Sequence, residues 1–192
     1  CKTYPQVEGK GASYFARICQ EVHDETGVSI VICPPNVELA KVATEVAIPV
    51  FAQNVDSFGG IVKTGTSTLE AVKGAGASGI LVNHSESRRT LADIEALVSA
   101  AREMDLISIV CTNNVNTSRA AAALGAGFVA MEPPELIGGD ISVTSADPGI
   151  VSKTVEEVAK ISGSSKVLTG AGVKTKEDVS MAIELGTHGV LL

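Results

Sequence analysis

A glutamate that follows a short apolar run is the strongest candidate for a catalytic residue. Glu132 comes directly after residues 128–131, which read as a buried strand, and it precedes Pro133-Pro134 and then Gly138-Gly139. A carboxylate at a strand end, beside a loop that is stiff at one end and pliable at the other, suits an active site covered by a lid. The alternative is that Glu132 is a solvated loop residue and the prolines only end the strand.

A histidine occupies a similar position earlier in the chain. His84 follows the apolar run at residues 79–82 and precedes Ser85-Glu86, where a short helix can begin. Backbone N–H groups at a helix start disfavour a positive imidazolium. A neutral imidazole there can donate a hydrogen bond to a carbonyl oxygen. The competing interpretation is a structural histidine, since histidines in such surroundings are often structural.

Two further features indicate an anionic ligand. Thr169-Gly170-Ala171-Gly172 joins a predicted strand to a helix, and free N–H groups in such a turn can hold a phosphate. Lys2, at the tail of a predicted first strand, supplies a cation, although a lone lysine is usually a solvated charge. With Glu132 and His84, these groups fit proton abstraction next to a carbonyl in a small phosphorylated molecule. No metal-ligand cluster and no clear cofactor site is present.

The elements that must position these residues alternate between strand and helix. The composition is 45% hydrophobic and 3% aromatic, without tryptophan, which favours buried parallel strands covered by alanine-rich helices. Strands are predicted at residues 28–33, 48–52, 79–82, 107–111, 128–131, 167–168 and 189–192, with a strand tail at 1–3. Helices are predicted at residues 11–25, 37–46, 69–75, 91–104, 117–124, 148–161 and 175–185.

This βα alternation predicts an α/β fold with one parallel sheet and right-handed crossovers. Eight units favour a closed (β/α)8 barrel, although periodicity alone leaves an open sheet as an alternative. In both architectures ligands bind at the carboxyl ends of the strands, which is where Glu132, His84 and Gly172 fall. At 192 residues the chain is predicted to be a single domain.

Charge and cysteine content restrict the partners and the compartment. The net charge is −7 and no basic run occurs, which argues against nucleic acid as a partner. The four cysteines form no C-x-x-C pair, so neither a zinc site nor a disulfide framework is predicted. A reduced cytoplasmic compartment is the simplest interpretation. No apolar run reaches transmembrane length, and no signal peptide is visible, so no membrane association is predicted.

Along essentially its whole length the chain resembles the triosephosphate isomerase family in its short archaeal form. The motifs that carry this resemblance are Lys2-Thr3-Tyr4, Ala52-Gln53-Asn54, Asn83-His84-Ser85-Glu86, Met131-Glu132-Pro133-Pro134-Glu135-Leu136-Ile137-Gly138 and Gly170-Ala171-Gly172. The resemblance implies a TIM barrel that interconverts dihydroxyacetone phosphate and D-glyceraldehyde 3-phosphate in glycolysis and gluconeogenesis, without a cofactor. The acid/base roles and the closing loop of this enzyme are worked examples in general accounts of catalysis.

The resemblance also implies a role for each matching residue. Glu132 would shuttle the proton, neutral His84 would stabilise the enediolate, and Lys2 would offset negative charge on the substrate. Ile137 and Gly138 in the closing loop, together with Gly172, would bind the phosphate through backbone groups. Glu86 would be the acid that supports Lys2. The loop that begins at Gln53 and ends at Gly65, with Thr64 near its tip, would dock into a partner subunit, which implies a homodimer or homotetramer.

The sequence departs from the family pattern in several places. It begins one residue too late to show the asparagine that precedes the family's lysine, and the phosphate loop and helix after the eighth strand are missing beyond Leu192. We therefore expect a barrel fragment that is incomplete at both ends and poorly active or unstable, since an open barrel has an unpaired edge. Gly139-Asp140 replaces the more usual Thr-Gly of the lid, which we expect to change lid kinetics or phosphate affinity.

Two other functions compete with the isomerase. One is a different phosphate-binding barrel enzyme of amino-acid biosynthesis, but such enzymes usually carry their acid and base on other strand ends. The other is a non-catalytic phosphate-binding barrel fragment or paralogue, which the missing ends support. The presence of both Glu132 and His84 argues against each of them.

Overall fold

The computed structural model describes residues 1–56 and 63–192. These residues form two compact units, the first made of residues 1–82 and 100–107 and the second of residues 83–99 and 108–192. Within the described residues, no helix combines the length and the apolar character needed to cross a membrane.

Helices and strands alternate along both units, as the sequence predicted. The α-helices of the described chain are α1 (Lys10–Thr26), α2 (Leu39–Glu45), α3 (Leu69–Gly74), α4 (Leu91–Glu103), α5 (Val115–Ala123), α6 (Val143–Ala146), α7 (Pro148–Ile161) and α8 (Lys176–Glu184). The β-strands are β1 (Phe51–Ala52), β2 (Gly79–Val82), β3 (Ile107–Thr112), β4 (Phe128–Met131) and β5 (Lys166–Thr169). Short 3-10 turns lie at Pro5–Val7, Asn36–Glu38 and Pro134–Leu136.

In the first unit, β1 and β2 form a parallel pair in which Phe51 lies opposite Gly79. Gly79 has to be a glycine because a Cβ there would come within 2.5 Å of the Phe51 ring and of the Ile107 carbonyl oxygen. Phe51, Ile80 and Val42 of α2 are fully buried in this unit. The aliphatic core predicted from the composition is therefore confirmed around Phe51 in the described part of this unit.

The predicted strand at residues 28–33 was too long. Only Ile32 forms a bridge, to Val50, through hydrogen bonds to the Pro49 carbonyl and from the Phe51 N–H. Pro49 has no N–H to donate, so the ladder cannot continue in the amino-terminal direction.

The predicted strand tail at residues 1–3 was also wrong. The amino group of Cys1 donates a hydrogen bond to the carbonyl of Cys33, without forming a strand.

In the second unit, β3, β4 and β5 are parallel and hydrogen-bonded in that order. Their carboxyl ends lie in register, because Thr112 is opposite Met131 and Met131 is opposite Thr169. The residues that follow these strands therefore leave the sheet at one level. The predicted strand at residues 189–192 is reduced to one bridge between Val190 and Thr169.

The helices of the second unit begin at well-formed caps. Asn114 with Thr117 and Thr175 with Asp178 form capping boxes at α5 and α8, and the Asp147 carboxylate accepts from the Ile150 N–H at α7. The predicted start of α7 at Pro148 is confirmed. Helix α6, which the sequence did not predict, begins at Ser142. Its Val143 packs with Met131 and Val151 in the buried cluster beneath the end of β4.

Candidate active site

Glu132 is the first residue after β4, as predicted, and it is held from both neighbouring strands. Its N–H donates to the Thr112 carbonyl at the end of β3, at 2.8 Å. On the other side, the Gly170 N–H donates to the carbonyl of Met131 at 3.0 Å. The Glu132 side chain is only 9% exposed. A Cβ on Gly170 would lie 2.8 Å from Oε1 of Glu132, so the absence of a side chain at Gly170 makes room for the carboxylate.

His84 lies beside this carboxylate. Its Nε2 atom is 4.0 Å from Oε2 of Glu132, and its side chain is 20% exposed. The N–H of Glu86 donates to Nδ1 of His84 at 3.3 Å, and the Glu86 carboxylate lies 3.8 Å from the same nitrogen. The hydrogen bond from Glu86 favours the neutral tautomer that carries its proton on Nε2, since a nitrogen that accepts a hydrogen bond carries no proton. The imidazole therefore presents a donor on the side of Glu132.

Asn83 is a site residue to which the sequence assigned no role. Its backbone is left-handed, with φ of +64°, and its amide donates to the Cys111 carbonyl at 2.8 Å. Its Oδ1 accepts from the N–H of Arg89 at 2.9 Å. An asparagine directly before a candidate histidine, at a strand end, was the available signal, because asparagine is enriched in left-handed turns.

The glycine turn after β5, which was predicted to hold a phosphate, has left-handed backbone at two residues. Ala171 and Gly172 both have positive φ, at +75° and +69°. The Ala171 carbonyl accepts from the N–H of Val143 at 3.1 Å. A Cβ on Gly172 would overlap the carbonyl oxygen of Ile141, so only glycine allows this close approach. The turn and the segment that leads into α6 are therefore packed backbone to backbone.

The predicted lid, residues 133–140, connects Glu132 to that segment. Its 3-10 turn at Pro134–Leu136 packs Leu136 against the cluster of Met131, Val143 and Val151. Gly138 has a positive φ of +73°. At the trailing end, Asp140 accepts a hydrogen bond from Lys174 at 2.7 Å, and this bond holds the pKa of Asp140 below its ordinary value.

A second carboxylate supports the same region. Asp178 accepts from the N–H groups of Lys174 and Thr175, at 3.0 and 2.9 Å. The pKa of Asp178 lies well below its ordinary value, chiefly because of the nearby Ser142 hydroxyl and then because of those two backbone groups. Asp178 therefore links α8, the residues after Gly172 and the start of α6. This link was not predicted from the sequence.

The second unit contains most of the predicted site residues: His84, Glu86, Glu132, Ile137, Gly138 and Gly172. Lys2 belongs to the first unit, where it is exposed. In the predicted subunit-docking loop, residues 57–62 lie outside the described part of the chain. At its start, Gln53 donates to the carbonyls of Cys33, at 2.9 Å, and Cys1.

Comparison with known proteins identifies the family of the chain. A sequence profile described as Triosephosphate isomerase matches residues 1–192. The chain is 52% identical to the triosephosphate isomerase of Methanosarcina barkeri and 51% identical to that of Methanothermus fervidus, covering 100% of this chain and 86% of each relative. It is 45% identical to the triosephosphate isomerase of Methanocaldococcus jannaschii, over 100% of this chain and 87% of the relative. The predicted resemblance and the TIM-barrel fold class are confirmed, and the chain belongs to the triosephosphate isomerase family.

Proposed function

We propose that the chain catalyses the reaction of its family, the interconversion of dihydroxyacetone phosphate and D-glyceraldehyde 3-phosphate. Glu132 acts as the base and neutral His84 as the hydrogen-bond donor. Family membership supports the reaction, which belongs to glycolysis and gluconeogenesis. The observation that supports these two roles is the separation of 4.0 Å between Nε2 of His84 and Oε2 of Glu132.

The proposed reaction moves one proton between two carbons and one between two oxygens, and it leaves the substrate's overall oxidation state unchanged. Glu132 removes a proton from C1 of dihydroxyacetone phosphate, and the C–H electron pair forms the double bond of an enediolate. The charge passes to the carbonyl oxygen. The hydroxyl proton on the C1 oxygen is transferred to the C2 oxygen, and the same carboxyl group returns the first proton to C2. The electron pair left on the C1 oxygen forms the carbonyl of the aldehyde. One carboxylate serves both carbons because they are adjacent atoms of a small substrate.

Burial of Glu132 fits the role of base. A carboxylate that is 9% exposed keeps few water molecules, so little solvent must be displaced when the substrate arrives. The contacts with Thr112, Met131 and Gly170 hold its backbone on the sheet, which limits the positions that the carboxylate can take. A rigid element of this kind positions a catalytic group more accurately than a free loop does.

His84 is proposed to polarise the carbonyl and to stabilise the enediolate. The hydrogen bond from the Glu86 N–H to Nδ1 requires a lone pair on that nitrogen, so it favours the neutral ring with a proton on Nε2. A donor placed where negative charge develops stabilises the transition state more than the ground state.

The remaining roles are proposed on the basis of the family motifs. Lys2 offsets negative charge on the substrate, and Glu86 supports Lys2. The backbone N–H groups of Ile137, Gly138 and Gly172 bind the phosphate. The positive φ values of Gly138 and Gly172 are compatible with turns whose N–H groups face an anion.

Assembly and compartment complete the proposal. We propose a homodimer or homotetramer formed through the loop from Gln53 to Gly65, as in the sequence prediction. We also propose that the enzyme works in the cytoplasm, where small phosphorylated sugars are metabolised. The described residues, 1–56 and 63–192, contain four cysteines with free thiols, which is compatible with a reducing compartment.

The test is the substitution Glu132→Gln in the full chain. Loss of the base should lower kcat by about 10²- to 10⁴-fold, the usual contribution of a positioned base, while the thermal midpoint changes little. Glu95→Gln, an exposed change on α4, is the matched control and should keep wild-type kcat. Turnover near the wild-type value in Glu132→Gln would contradict the assignment of the base.

A further inference from the structure

We infer that Asn83 is a positioning residue that determines where His84 stands relative to Glu132. The inference rests on the proposed function, in which the His84 ring donates a hydrogen bond to the substrate oxygens. Asn83 touches neither the substrate nor the reacting atoms in this scheme. Its effect is exerted through the loop that carries His84.

The backbone of Asn83 provides the first observation. With φ of +64°, it is one of the few residues of the described chain other than glycine in the left-handed region, together with Asp105 and Ala171. Residues with a Cβ seldom adopt this conformation, and asparagine tolerates it better than most. The chain therefore changes direction at Asn83, between the end of β2 and His84.

The side-chain amide provides the second observation, because both of its ends are bonded. Oδ1 accepts from the Arg89 N–H at 2.9 Å and so closes the loop that contains His84 and Glu86. Nδ2 donates to the Cys111 carbonyl at 2.8 Å and so attaches the closed loop to β3. The Arg88 guanidinium also donates to the Asn83 carbonyl at 2.9 Å. Asparagine combines the donor, the acceptor and the left-handed backbone that this position uses.

The attachment point gives Asn83 its significance for the reaction. Cys111 accepts from the Asn83 amide, and the next residue, Thr112, accepts from the Glu132 N–H at 2.8 Å. Carbonyls of consecutive residues in a strand point in opposite directions. The loop of the imidazole and the backbone of the base are thus bonded to neighbouring carbonyls of one strand. Loss of the amide would release the His84 loop but leave Glu132 in place.

The experiment compares Asn83→Gly with wild type in the full chain. Glycine keeps the left-handed backbone and removes only the amide contacts. We expect kcat to fall by about 10- to 100-fold, the effect of misplacing a catalytic group by about an ångström, with KM changed by less than about twofold. Nitrogen-15 NMR of His84 should show that the tautomer protonated at Nε2 is no longer the single neutral species, because the loop that holds Glu86 against Nδ1 has been released.

Two further variants separate the explanations. Asp105→Gly replaces another left-handed residue, in the turn before β3, and should leave kcat unchanged. Glu132→Gln is measured in parallel: if it retains turnover, the proposed function fails, whatever Asn83 does. If Glu132→Gln is inactive while Asn83→Gly stays within twofold of wild-type kcat, the inference about Asn83 alone is overturned. A fall in kcat with an unchanged His84 spectrum and a lowered thermal midpoint would also overturn it, since Asn83 would then be only structural.

Discussion

Lys174 donates a hydrogen bond to Asp140 across 2.7 Å, and this bond joins the trailing end of the lid to the loop after β5. The same two segments meet at the Val143 N–H and the Ala171 carbonyl, and at the close approach of Gly172 to Ile141. The Asp140 carboxylate is 99% exposed, so the ion pair lies at the outer end of this contact. The lid and the proposed phosphate turn are therefore connected at Asp140, one of the two residues where the lid departs from the family pattern.

The first prediction concerns this ion pair. Asp140→Asn and Lys174→Met should each raise KM, by up to about fivefold, because an exposed pair contributes little and salt screens it. Both single changes should act in the same direction. The reversed pair, Asp140→Lys with Lys174→Asp, should restore most of the wild-type KM at low ionic strength. Steady-state kinetics at low and high salt provides the measurement.

The opposite pattern would contradict a mechanical role for the pair. If Asp140→Asn lowered KM while Lys174→Met raised it, the two charges would act on the substrate phosphate directly. Because Lys174 holds the pKa of Asp140 below its ordinary value, the carboxylate stays ionised across neutral pH. The difference in KM between wild type and Asp140→Asn should therefore be constant from about pH 6 to 8.

The second prediction concerns the space beside the base. Gly170→Ala places a Cβ 2.8 Å from Oε1 of Glu132 and from the Leu191 carbonyl, so the carboxylate has to move. We expect kcat to fall by about 10²-fold, the cost of displacing a catalytic group by about an ångström. Gly163→Ala is the matched control, because a Cβ there meets no atom within 4 Å, and it should keep full activity. Wild-type kcat in Gly170→Ala would show that the carboxylate position is not limited by this residue.

The third prediction concerns Asp178 and acid stability. Its pKa is lowered in the folded protein, chiefly by the Ser142 hydroxyl, so folding is favoured by the ionised form. This contribution is complete above the unfolded pKa of about 4 and is lost as the pH falls toward the lower folded value. Asp178→Asn should thus lower the thermal midpoint at pH 7, and the difference from wild type should shrink below about pH 4.

Thermal melts from pH 2 to 7 test this sign. Asp105→Asn serves as the control, because asparagine accepts the left-handed backbone of that residue. If the difference in thermal midpoint between wild type and Asp178→Asn stayed constant down to the lowest pH, the effect of the substitution would not come from the charge of Asp178.

The fourth prediction concerns the buried thiol of Cys33. Burial raises its pKa to about 11, against an ordinary value of about 8.5. The folded state keeps the proton that the unfolded state loses, so stability is retained below about pH 8.5 and declines as the pH rises toward 11. The free energy of unfolding should fall less steeply over this window in Cys33→Ala than in wild type. Equal slopes of the unfolding free energy against pH in the two proteins would contradict the raised pKa of Cys33. In a separate test, alkylation at pH 8 should leave Cys33 unmodified until the protein is denatured.

Local patterns predicted many of the elements correctly. The strand at residues 79–82 and the helix Pro148–Ile161 were predicted with their observed bounds, because a bounded apolar run and a proline in the first turn are strong local signals. The strands at residues 28–33 and 189–192 were predicted to be too long. An apolar run does not indicate how many of its residues will form hydrogen bonds to a neighbouring strand. In the first case the missing N–H of Pro49 limits the pairing to a single bridge at Ile32.

By itself, the sequence determined the βα alternation, the strand end that carries Glu132 and the order of the motifs that place the chain in its family. These are local properties of side-chain type and spacing. Tertiary structure alone decided the approach of His84 to Glu132, the bond from the Asn83 amide to Cys111, the space that Gly170 leaves for Glu132 and the pairing of Asp140 with Lys174. Each depends on atoms from segments far apart in the chain, and their distances follow from the register of β3, β4 and β5 rather than from sequence spacing.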